Sequence, residues 1–75
     1  MRIRLYGRLA DAFGSELDLA GGSVGAIRTR LASDYPGAAD VLARSRVIVG
    51  AAIVGDDHAL VEADSLEFLP PVSGG

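Results

Sequence analysis

The chain has 75 residues, 49% of them hydrophobic, with no cysteine and a single histidine, His58. This is material for one small core without covalent staples, and it excludes disulfide scaffolds, thiol nucleophiles and cysteine-based zinc sites, so no metal is expected. A chain of this length hides only about 60% of its unfolded surface, so a stability of about 3–5 kcal/mol is expected and a deep private active site is not. Ten acidic residues against seven basic ones leave a net charge of −3, and the seven are all arginines, dispersed as Arg2, Arg4, Arg8, Arg28, Arg30, Arg44 and Arg46. That balance disfavours nucleic-acid binding. The absence of lysine removes Schiff-base chemistry and side-chain isopeptide acceptors. The longest apolar run, residues 47–54, is interrupted by Gly50 and falls far short of the ~20 residues that span a bilayer. No apolar stretch follows Arg2, so no secretion signal is expected, and the expectation is a soluble cytoplasmic protein without a membrane partner.

The opening alternates, with Ile3 and Leu5 on one face and Arg2, Arg4 and Tyr6 on the other, which predicts a strand. A short stretch from Leu9 to Phe13 ends at Gly14, with Phe13 expected as a core or capping residue. Period-two alternation then resumes at Glu16-Leu17-Asp18-Leu19 as a second strand in a wide hairpin. Gly21-Gly22 breaks it, Ser23 is a good N-cap, and Val24, Ile27, Leu31 and Tyr35 recur at helical spacing as one buried stripe up to the stop signal Pro36-Gly37. Gly25 in the first turn of that helix costs about 1 kcal/mol of propensity relative to Ala.

Residues 38–43 suit a further turn or short helix. Val47-Ile48-Val49 and Ala52-Ile53-Val54 flank Gly50-Ala51 as a tight hairpin, and glycine in the first loop position suits a type II′ turn. Asp56-Asp57-His58 reads as a polar loop, because three polar residues in a surface loop make no defined ligand shell. Leu66-Glu67-Phe68-Leu69 is the last strand, stopped by Pro70-Pro71. The order of strand, strand, helix, two short strands and a final strand predicts an α+β, β-grasp (ubiquitin-like) fold. Its mixed sheet packs on one main helix, with the first and last strands parallel at its centre. Ile3, Leu5, Leu66 and Phe68 would then meet Val24, Ile27 and Leu31.

The body is expected over residues 1–69 and an extended tail over 70–75. Two prolines hold Pro70-Pro71-Val72 extended, and Ser73-Gly74-Gly75 ends in residues without a Cβ, able to enter a channel that admits only backbone. Taken alone, such an end also fits an ordinary flexible terminus. The outward parity of Tyr6 and Leu69 on neighbouring central strands, extended by Ile53, suggests a partner-binding patch. Arg4 and Arg8 either flank that patch or are simply solvated.

Residues 68–75, Phe68-Leu69-Pro70-Pro71-Val72-Ser73-Gly74-Gly75, resemble the terminal signature of molybdopterin synthase small subunits, the MoaD branch of the MoaD/ThiS ubiquitin-like sulfur carriers. The likeness extends through Arg4-Leu5-Tyr6-Gly7-Arg8-Leu9-Ala10 and the Ser23-initiated helix ending at Tyr35-Pro36. It departs from the usual family turns at Gly50-Ala51-Ala52 and at Ala63-Asp64. The resemblance implies a sulfur carrier in molybdenum cofactor biosynthesis. The Gly75 carboxylate would be adenylated by a ubiquitin-activating-like adenylyltransferase using ATP, then thiocarboxylated from a sulfur donor. It would deliver sulfur to cyclic pyranopterin monophosphate in a pocket of the large subunit, the pair assembling as a heterotetramer. On that basis Gly75 is the reacting residue with Gly74 beside it, and Tyr6, Ile53, Leu69, Pro70, Pro71, Val72 and Ser73 contact partners. The chain itself holds no permanent cofactor and is a non-catalytic subunit. A thiamine-pathway sulfur carrier and a β-grasp interaction module with a chemically idle terminus remain as alternatives.

Overall fold

The computed structural model describes residues 1–71. In chain order the elements are β1 (Arg2–Leu5), α1 (Arg8–Phe13), β2 (Glu16–Asp18), α2 (Val24–Asp34), a 3-10 turn (Pro36–Ala38), α3 (Ala39–Arg44), β3 (Arg46–Val49), β4 (Ala52–Val54) and β5 (Ser65–Leu69). The strands form one sheet in the order β2-β1-β5-β3-β4. β1 and β5 lie parallel at its centre, Ile3 beside Leu66 and Leu5 beside Phe68, and the other pairings are antiparallel. This is the β-grasp arrangement. The crossover through the helices is what allows the first and last strands to run parallel.

Alternation decides what is covered. Ile3, Leu5, Val47, Leu66 and Phe68 point to one side of the sheet and are fully buried there with Val24, Ile27 and Leu31 of α2, Leu9 of α1 and Leu42 of α3. Ser23 caps α2 as expected, its hydroxyl accepting from the Ala26 amide at 3.1 Å. The neighbouring amides of Val24 and Gly25 donate to the carbonyls of His58 and Asp56, so the Asp56-Asp57-His58 loop closes the helix start with its backbone. This explains the glycine in the first turn: a Cβ on Gly25 would stand 3.2 Å from both the Cβ and the carbonyl oxygen of Asp56. Close approach of the loop outweighs helix propensity.

Two expectations are revised. The short stretch from Leu9 to Phe13, to which the sequence assigns no regular structure, lies in the helix α1. Tyr35, placed in the buried stripe, is 48% exposed, because α2 ends at Asp34 and Tyr35 leaves the helical path at φ −141°. Its ring instead meets Phe13 edge-on at 5.8 Å, which places Phe13 as a half-buried cap on α1. The β3–β4 hairpin closes as the type II′ turn expected. Val49 stands opposite Ala52, Gly50 has φ +63°, and no non-glycine residue among those described has positive φ.

Arg28 ties the layers together beneath β5. Its side chain is 16% exposed and Nε donates to Asp56 at 3.1 Å. Nη1 donates to the Ser45 carbonyl and hydroxyl at 3.1 and 3.0 Å and to the Leu42 carbonyl, while the guanidinium lies 5.7 Å from the Phe68 ring centroid. The α3–β3 junction is thereby pinned against the strand that carries the tail.

Candidate functional site: the open sheet face and the root of the tail

Register places a second set of side chains on the uncovered face. Arg4 lies between Glu16 and Glu67, Ile48 between Ile53 and Glu67, and Leu69 opposite Arg46. Tyr6 follows β1 by one residue and continues the same parity, 38% exposed, while Ile53 is 63% exposed and Leu69 is half-buried. Three of the expected contact residues, Tyr6, Ile53 and Leu69, therefore share this face. Ile48, half-buried between Ile53 and Glu67, belongs with them and escapes the sequence reading. An unbroken apolar run hides parity, although a buried Val47 dictates that Ile48 points out.

Charges frame the patch and are paired across it. Arg2 and Arg4 each approach Glu16 at 3.7 Å. The Tyr6 hydroxyl donates to Glu67 at 2.6 Å, a short charge-assisted bond. That bond, then partial desolvation, holds the Tyr6 phenol above its usual pKa, since ionisation would set two anions side by side. Arg4 therefore sits within this paired charge set.

The tail begins at the middle of the sheet. Leu69 makes the last ladder pairing of β5, and Pro70, lacking an N–H, cannot extend it. Pro70 is half-buried and Pro71 exposed. A shallow groove runs along this exit, lined by Arg44, Arg46, Leu69, Pro70 and Pro71. Arg44 pairs with the exposed Asp40 at 3.1 Å, whereas Arg8 and Arg46 make no ion pair among the described residues. Gly7 lies under Pro70, where an added Cβ would be 3.1 Å from the proline Cγ. No sequence signal marks that contact, which joins the first turn to the far end of the chain. Val72, Ser73, Gly74 and Gly75 lie outside the described residues.

The opposite end of the sheet is closed by a different set. Glu62 accepts from the Gly21 amide at 3.1 Å and from the Met1 ammonium at 3.4 Å, and these bonds lower its carboxyl pKa, the amide contributing most. The Met1 ammonium also donates to Asp18 at 3.0 Å. His58 and Asp57 are exposed in their loop, and Asp56 is engaged by Arg28. The face and the tail root together present an apolar surface framed by paired charges, with Pro70 and Pro71 following the central strand β5. No described helix is long and apolar enough to cross a membrane.

The model of the ThiS family matches residues 3–75. Among solved structures, SAMP1 from Haloferax volcanii is 26% identical with a TM-score of 0.72, over 99% of this chain and 97% of that one. The solution structure of small archaeal modifier protein 1 from Methanosarcina acetivorans is 25% identical with a TM-score of 0.82, over 99% and 94%. A chain in the complex of subunits 1 and 2 of the molybdopterin-converting factor from Helicobacter pylori is 17% identical with a TM-score of 0.69, over 99% and 96%, a likeness of fold. No curated protein sequence matches significantly.

Proposed function

The chain belongs to the ThiS family of ubiquitin-fold sulfur carriers, and from that premise we propose that it is the sulfur-donating small subunit of a molybdopterin synthase. The observation that supports this reading is the tail: Pro70-Pro71-Val72-Ser73-Gly74-Gly75 leads off the central strand β5, beside an uncovered face with Tyr6, Ile48, Ile53 and Leu69. The face grips a partner while the tail is threaded.

A free carboxylate is ionised at pH 7 and is a poor electrophile. One Gly75 oxygen attacks the α-phosphorus of ATP on the adenylyltransferase, pyrophosphate leaves, and the acyl adenylate forms. Hydrosulfide then attacks the acyl carbon and displaces AMP, leaving the thiocarboxylate. Where the donor offers a persulfide instead, its terminal sulfur displaces AMP to give an acyl disulfide. A second thiol of the donor then attacks that S–S bond, releasing the thiocarboxylate and leaving the donor oxidised to a disulfide. The chain has no cysteine, so sulfur travels on the terminus and not on a side-chain thiol. Sulfur then passes to cyclic pyranopterin monophosphate in the large subunit, whose pocket does the chemistry.

The test is intact mass after incubation with activating enzyme, ATP and sulfur donor, followed by dithiolene formation with the large subunit. The expected result is replacement of one oxygen by sulfur, lost again on transfer. A variant with a blocked C-terminus should remain folded and inert. Gly74→Val should dock yet transfer slowly, because a β-branched side chain fills a backbone-only channel. Full turnover from a blocked terminus would overturn the mechanism. A thiocarboxylate consumed in thiazole formation and not in dithiolene formation would move the protein to the thiamine pathway.

The likeness to two structures described as modifier proteins favours a second reading, attachment of Gly75 to amines of other proteins. The same incubation with a cell extract separates the two, since a modifier appears as higher-mass isopeptide conjugates.

A further inference from the structure

We propose that Gly7 is a positioning residue for the tail: it forms a seat for the Pro70 ring that sets the direction in which the chain leaves β5. The inference rests on the carrier reading above for its consequence, and on geometry alone for the seat.

Gly7 has φ +56° and ψ −130°, a combination that strains residues with a Cβ. A Cβ there would also stand 3.1 Å from Pro70 Cγ, tighter than ordinary contact, so the ring rests where a side chain would be. The turn that carries Gly7 is held on two sides. The Tyr6 carbonyl accepts from the Leu9 and Ala10 amides at 3.1 and 3.4 Å, and the Gly7 carbonyl accepts from Asp11 at 3.2 Å, which anchors it to α1. The Tyr6 hydroxyl bonds Glu67, which anchors it to β5 two residues before the ladder ends.

Pro70 has no ladder bond to hold it, because the pairing stops at Leu69 and the proline lacks a donor. Both prolines have φ near −65°, and the residue preceding each is restricted to extended conformations, so a heading set at Pro70 is kept through Pro71. A misplacement of about 1 Å in a reacting group can cost up to about a hundredfold in rate. The seat at Gly7 therefore sets the heading from which the chain continues toward Gly75.

Gly14 supplies the control, since it also has positive φ (+86°) but an added Cβ would meet nothing within 4 Å. Gly7→Ala and Gly14→Ala should each lower Tm through backbone strain, and only Gly7→Ala should disturb the tail. Two measurements on the full chain decide the point. By NMR, the wild type should show Gly7 Hα to Pro70 ring contacts that Gly7→Ala loses, with shifts at 71–75 that Gly14→Ala does not cause. In ATP–pyrophosphate exchange with the activating enzyme, Gly7→Ala should lower kcat about tenfold with KM within about twofold, and Gly14→Ala should leave both within about twofold. Pro70→Ala, which empties the seat from the other side, should reproduce the kcat loss, and the double variant should be no worse than either single one. If Gly7→Ala does not fold, Pro70→Ala and its NMR shifts carry the test. Unchanged tail shifts, equal kcat losses for the two glycine variants, or additive effects of Gly7→Ala and Pro70→Ala would each overturn the proposal. A wild type that shows the contact but no exchange would overturn the carrier reading and leave the seat standing.

Discussion

The two faces of the sheet are made by the same strands and differ completely in what they do. On the helix side, alternate residues from Ile3 to Phe68 are sealed against α2 and carry the stability of a small domain. On the other side, the residues between them leave Tyr6 and Ile53 exposed within a frame of paired arginines and glutamates. Because strand parity forces each residue to one face, a substitution on one side should act on folding and its neighbour on association. The hydrophobic effect acts on both; on the proposed reading, water leaves one face on folding and the other on docking.

The sharpest test of that division is Phe68→Ala. Its ring is fully buried at the centre of the core and lies against Arg28, so truncation should cost about 3–5 kcal/mol, comparable with the whole stability of a domain this small. Urea denaturation should find the variant largely unfolded at 25 °C. A cooperative transition with less than about 1 kcal/mol lost would mean that the covered face is not the stabilising one.

Its neighbour Leu69 should behave in the opposite way. If the open face docks as proposed, Leu69→Asp puts a charge where water leaves on binding and should weaken association with the large subunit by about 2–4 kcal/mol. The fold should lose less, because Leu69 is only half-buried on the open face. Calorimetry that returns unchanged affinity would remove Leu69 from the interface. Ile53→Asp, at a more exposed position of the same patch, should weaken binding with a stability change within about 0.5 kcal/mol.

A smaller effect comes from the helix that covers the core. Ser23→Ala removes the N-cap of α2 and should cost about 1 kcal/mol in denaturation, with no change in docking.

The smallest effect is a titration on the open face. Glu67 raises the pKa of Tyr6, so the neutral phenol is favoured in the folded state. The stabilisation from this bond is fully present below the ordinary phenol pKa of about 10 and is lost as pH rises through the higher folded value. Absorbance titration of the wild type against Tyr6→Phe should show Tyr6 ionising late, and Glu67→Gln should bring it back toward the usual range. A Tyr6 curve that Glu67→Gln leaves in place would break the pairing across the patch.

The sequence by itself determined the strand alternation, the Ser23 cap, the Gly50-Ala51 turn and the order of the strands around the main helix, from which the parallel pairing of first and last strands follows. These are local signals: period two, period 3.6, capping chemistry and a glycine with positive φ are all written within a few residues of one another. The tertiary structure alone decided the features that join distant segments. Tyr35 continued a helical spacing but lies past the end of α2, against Phe13. Ile48 was concealed in an apolar run until pairing with β4 and β5 assigned its face. Gly25 read as a defect until the Asp56 loop was seen to need its space. Gly7 carried no local signal of its own, and its contact with Pro70 spans 63 positions of the chain. Such contacts leave no periodic trace, because they depend on where the folded sheet sets two remote backbones side by side.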